Sequence, residues 1–158
     1  MRVTRMADYG VRFMIELATR PVGARLTAAE LARACTVSVA FTGKILQRLA
    51  NARLLIAHLG HDGGFELERA AAQISMLDIV TALAGPLCLN DCLPGGAGCV
   101  RKTWCPGHGV WADAQSAVAH VLASQRLDRL AAEAVHNRRR LNLPLAITAP
   151  RGAVPAHG

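Results

Sequence analysis

Residues 27–52 read TAAELARACTVSVAFTGKILQRLANA, and residues 54–67 follow as LLIAHLGHDGGFEL. Thr27 and Glu30 have the spacing of a capping box: the Thr27 hydroxyl accepts from the third amide while the Glu30 side chain reaches back to the cap. The short helix they open carries Leu31 and Ala32 and runs to about Cys35. Thr36-Val37-Ser38 then makes a brief turn, with Ser38 as a second N-cap. A second helix is expected from about Val39 to Ala52. It carries Phe41, Ile45, Leu46 and Leu49 on one face and Lys44, Gln47, Arg48 and Asn51 on the other. Two helices joined by so short a turn, the second with a polar outer face, read as a helix-turn-helix. Leu54–Ala57 and Phe65–Leu67 read as two short strands across a turn, with Gly63 and Gly64 supplying positive φ values. A hairpin directly behind the second helix makes a wing.

Outward from this core, Asp8–Thr19 reads as an amphipathic helix, with Val11, Met14, Ile15 and Ala18 on one stripe. Pro21 and Gly23 end it. Ser75-Met76-Leu77-Asp78 opens another capped helix that stops near Ala84, Gly85 and Pro86. A loop rich in Gly, Pro and Cys follows, then helices over Val110–Leu122 and Leu127–Val135. The expected fold is mainly α: a winged helix-turn-helix domain over 1–84, a loop over 85–109, dimerisation helices over 110–136 and a disordered tail over 137–158.

The 158 residues are 52% apolar but only 4% aromatic, with a formal charge of +7 that is compatible with a nucleic-acid or other acidic partner. Arg supplies 16 of the 18 cations and suits phosphate and base edges. Residues 1–20 are charged throughout and resemble no secretory leader. No uncharged apolar run is long enough to span a membrane. A cytoplasmic location is expected, where clustered thiols serve metals or redox chemistry more often than disulfides. No HExxH, phosphate-binding glycine loop or paired nucleophile and base is present, so no enzyme is expected.

Four of the five cysteines fall within eighteen residues. Cys92, Cys99, Cys105 and then His108 lie among Gly95, Gly96, Gly98, Gly107 and Gly109, glycines that let backbone wrap a compact object. Thiolates with one imidazole suit an iron–sulfur cluster or zinc. The spacings within this trio are longer than the short cysteine pairs zinc prefers. Cys35 reads as a buried structural thiol and Cys88 as a bystander or spare ligand.

At this point the chain resembles the iron–sulfur winged-helix regulators that include IscR, NsrR, RirA and the SUF-operon regulators. The resemblance covers about residues 1–135. It is carried by Met1-Arg2-Val3-Thr4, Ala7-Asp8-Tyr9-Gly10, the helix-turn-helix, the Gly63-Gly64 wing, Ile74–Val80, Gly85-Pro86-Leu87 and the three-cysteine loop. It implies a homodimer with a long crossed helix, bound to double-stranded promoter DNA as a repressor. Cys92, Cys99 and Cys105 would hold the cluster, and its state would report redox conditions, nitric oxide or iron supply. In IscR-type proteins a histidine matching His108 completes a 2Fe–2S site. In NsrR-type proteins a carboxylate matching Asp8 of the partner subunit completes a 4Fe–4S site. Both candidates are present.

The same resemblance assigns DNA contacts to Arg2 and Arg5 on phosphates, to Thr42, Lys44, Gln47 and Arg48 on the recognition helix, and to His58, His61, Gly63 and Gly64 in the wing. Family wings resemble R-G-x-x-G-G-(Y or F)-R-L. Here Leu59 stands in place of the first Arg and Glu66 in place of the second. That loss should weaken minor-groove contact, for which His58 and His61 compensate in part. The departure motivates an alternative, a cluster carrier or electron-transfer protein on the same fold. A zinc-stabilised regulator without redox sensing is a third reading.

Overall fold

A computed structural model describes residues 4–60 and 63–144. The chain runs α1 (Arg5–Ala18), α2 (Ala28–Cys35), α3 (Val39–Asn51), β1 (Leu55–His58), β2 (Gly64–Leu67), a single 3-10 turn, α4 (Met76–Ala84), α5 (Gly107–Ser124) and α6 (Leu127–Arg140). The mainly helical winged architecture expected from the sequence is present. The Thr27–Glu30 capping box forms, and Ser38 caps α3. A second box, Ser75 with Asp78, starts α4.

Several boundaries differ from expectation. α1 begins at Arg5, capped by the Thr4 hydroxyl, which accepts from the Ala7 amide at 3.2 Å. Asp8 is therefore inside the first turn, where a carboxylate suits the helix dipole, and it pairs with Arg12 at 2.9 Å. α5 begins at Gly107, so His108 belongs to a helix and not to the preceding loop. α6 continues to Arg140, four residues into the segment expected as tail. Residues 145–158, the remainder of that tail, lie outside the described residues, as do Arg2 and His61.

Phe13, Met14 and Leu17 of α1 meet Leu31, Ile45, Leu46, Leu49, Leu54, Leu55, Ile79, Leu83 and Leu127 in one buried core. α1 packs against both α4 and α6, so its buried face is wider than the stripe predicted. Val11, Ile15 and Ala18 lie at its margin. Gly10 is the closest approach: a Cβ there would sit 2.0 Å from Leu83 Cδ1. α6 is fastened to α1 by Glu16, which is buried and bonded by Arg20 at 2.7 Å and by Arg138. The backbone bonds Met76 N to Gln125 O and Leu127 N to Ile74 O, each 2.9 Å, tie the α5–α6 corner to the start of α4.

The wing pairs β1 with β2 antiparallel, Leu55 opposite Leu67 and His58 opposite Gly64. Leu26 adds a third short line through its bridge to Phe65. Gly64 has φ 153°, but Gly63 does not take the positive φ expected of it. Gly63 is needed for space instead, because a Cβ would fall 2.4 Å from the His58 carbonyl.

Candidate nucleic-acid interface and cysteine loop

Helix α3 presents Lys44, Gln47 and Arg48 to solvent. Gln47 Nε2 donates to Asn51 Oδ1 at 3.1 Å. Arg48 reaches sideways, and its Nη1 donates to the Leu83 carbonyl at the end of α4 at 3.2 Å. That bond satisfies a helix-terminal acceptor and couples α3 to α4. Thr42 is a correction: it is fully buried, and its hydroxyl donates to the Ser38 carbonyl at 3.0 Å. It packs inside the domain and offers no exposed group to a base edge. Arg5 lines an open cleft of about 470 Å³ with Tyr9, Thr36, Val37, Ser38 and Phe41 at the start of α3.

The wing joins His58, an expected DNA contact, to Glu66 and Arg25, neither of which was expected as one. His58 Nε2 lies 3.0 Å from Glu66 Oε1, in ion-pair rather than hydrogen-bond geometry. Arg25 Nε donates to Glu66 Oε2 at 3.3 Å. The contact with His58, and then that with Arg25, holds the Glu66 carboxyl below its usual range. Arg25 was missed because it lies outside the hairpin in sequence. Only the Leu26–Phe65 bridge brings it beside β2. At the base of the hairpin Arg53 pairs with Glu68 at 3.3 Å.

The cysteine loop is a series of tight turns hung on Leu93, which is buried. Backbone N–H groups donate from Leu93 to Asn90 O, from Gly96 to Leu93 O and from Gly98 to Asp91 O. Gly96 is obligatory there, since a Cβ would meet the Asp91 backbone at 2.6 Å. Leu89 N donates to Gln115 Oε1 at 2.9 Å, which ties the loop to α5. Cys92 and Cys105 are half-buried and Cys99 is exposed. Cys88 Sγ donates to the Asn90 carbonyl at 3.3 Å. His108 Nδ1 is buried with no hydrogen-bond partner, one turn from Cys105. Asp8 is half-exposed on α1.

Among the described residues no three His, Cys, Asp or Glu side chains are gathered closely enough to hold a metal ion. The donor chemistry nevertheless fits a soft metal cluster. Three thiols lie in one glycine-rich segment, and an imidazole nitrogen three residues after the last of them lacks a partner.

Comparison with known proteins agrees with this architecture. The family described as Rrf2, iron-dependent transcriptional regulator, matches residues 3–133. An HTH-type transcriptional regulator of Mycobacterium tuberculosis is 38% identical over 87 residues, 55% of this chain and 54% of its own. The chain thus spans about half the length of that curated relative. The protein aau3 of Rhizobium meliloti is 31% identical over 95% of both chains. Among solved structures, CymR, the global cysteine regulator of B. subtilis, superposes with TM-score 0.70 at 25% identity, covering 84% of this chain and 98% of its own. The IscR of T. potens gives TM-score 0.70 at 22% identity over 87% and 91%, a likeness of fold.

Proposed function

This chain belongs to the Rrf2 family, whose members are transcriptional regulators and not enzymes, and from that premise we propose that it is a homodimeric repressor whose grip on promoter DNA follows an iron–sulfur cluster held by Cys92, Cys99 and Cys105. The fourth ligand is His108 or Asp8 of the partner subunit. The unpartnered Nδ1 of His108 favours the first. Such a cluster supplies iron that reacts with oxidants and nitric oxide and that is lost when iron is scarce.

The observation that carries the reading is a continuous connection. The cysteine loop leaves the end of α4, and the Leu83 carbonyl in the last turn of α4 accepts from Arg48 on α3. The same loop is bonded to α5 through Gln115. A change in the loop therefore bears on α3 through one hydrogen bond and on α5 through another. In a dimer two α3 helices must meet half-sites at a fixed spacing, so a small shift changes affinity.

The test is anaerobic purification with a visible spectrum and iron and sulfide counts, followed by mobility shifts on the protein's own promoter with and without cluster. Removing the cluster is expected to change affinity at least fivefold, the lower end of ordinary coupling. A colourless zinc protein would reject the cluster, and equal binding in both states would reject the sensing role. The charge-balanced wing favours one second reading, a cluster carrier that binds DNA weakly. Absence of specific binding in every cluster state would select it.

A further inference from the structure

The wing's outer face holds Arg25, Glu66 and His58 in one row. The antiparallel bridge of Leu26 to Phe65 sets Arg25 beside Glu66, while the β1–β2 register puts His58 two residues diagonally across. One carboxylate thus faces the Arg25 guanidinium on one side and the His58 imidazole on the other, at 3.3 Å and 3.0 Å. Its neighbour on that face, Glu68, takes Arg53. The opposite face, with Leu26, Phe65 and Leu67, packs on the core, so this outer face is the one the hairpin offers to a partner.

We propose that Glu66 is an affinity-determining residue that withholds the wing from DNA by occupying Arg25 and His58. A phosphate must displace a carboxylate already in place before either side chain can serve it. The displaced carboxylate then stays beside the DNA as a like charge. DNA binding by this chain is accordingly carried by α3 and the cations near its start, with little counterion release at the wing. Arg25 is the latent contact, since an Arg fork suits phosphate better than an imidazole does. The inference rests on the DNA-binding reading above.

Mixed-sequence duplex DNA is titrated by fluorescence anisotropy with the full chain, Glu66→Gln, Arg25→Ala and the double variant, across a range of salt. Thermal melts establish that each is folded, and Glu66→Thr, with a strand-compatible side chain, repeats the release independently. Glu66→Gln is expected to bind on the order of tenfold tighter at low salt, with a log–log salt slope steeper by about 0.9 to 1.8 for one or two added phosphate contacts. Arg25→Ala alone leaves the salt slope unchanged, because no phosphate contact is lost, while the double variant loses most of the gain. Binding by Glu66→Gln where the unaltered chain shows none also supports the proposal. Equal affinity and slope for Glu66→Gln and the unaltered chain would overturn it while leaving the DNA-binding reading intact. So would a salt slope shallower by about 0.9 in Arg25→Ala alone, because Arg25 would then already be on the DNA. No binding by any of the variants at low salt overturns both.

Discussion

Burial pushes the Cys35 thiol up to about 11 from its ordinary 9.0, and the Glu16 carboxylate adds to the shift. The raised value favours the neutral thiol of the folded state. This contribution to stability is complete below about pH 9 and is lost as pH rises toward 11. The thiolate is the reactive form, so Cys35 of the cluster-free protein should alkylate at pH 8 about 100-fold more slowly folded than unfolded. Peptide mass spectrometry after iodoacetamide pulses measures this, and similar folded and unfolded rates would contradict it. The sequence reading of Cys35 as a structural thiol agrees with its surroundings. Thr42 went the other way. The sequence reading counted it among the DNA contacts of the recognition helix, but the Thr hydroxyl can bond the carbonyl one turn back. A polar side chain satisfied in this way can face the core.

Capping boxes, turns and hydrophobic periods are local, and they located α2, α3, α4 and the hairpin directly from residue order. Ends that rest on weaker signals were displaced. α1 starts earlier because the Thr4 hydroxyl already caps the helix one turn ahead of Asp8. α5 starts earlier because Pro106 and Gly107 do not prevent the helix from beginning there. How helices meet was not legible at all. Gly10 looks like an ordinary helix glycine until α4 is placed, when a Cβ there proves to fall 2.0 Å from the Leu83 Cδ1 methyl. Gly10→Ala gains helix propensity worth up to about 1 kcal/mol but overpacks a closed core, which costs typically 1–3 kcal/mol. A lower urea midpoint with an unchanged slope is expected, and a raised midpoint would show that Leu83 moves aside freely. Glu16 is the parallel case. Its ligands Arg20 and Arg138 come from one turn away and from the far end of the chain, and only the first spacing can be read from the sequence.

At the scale of the molecule, α5 stands apart: none of its residues is buried, and Val110, Trp111 and Val121 are exposed on it. α6 instead seals against α1 of its own chain through Leu127 and Ala131. Pairing of two copies through α5 would bury that apolar surface. Val121→Asp should therefore convert a dimer into monomers in sedimentation velocity and weaken binding to a two-half-site duplex while leaving the melting temperature of the domain nearly unchanged. A monomeric unaltered chain would reject the pairing. No helix among the described residues is long and apolar enough to cross a membrane. The winged helix-turn-helix and the thiol-rich loop were determined by the sequence alone, because caps, periodicity and residue chemistry act over a few positions. The burial of Thr42, the bond from Arg48 to α4 and the meeting of Arg25 and His58 at Glu66 were decided only by the tertiary structure. Each depends on groups brought together across the fold, and no short-range pattern encodes which charges will meet.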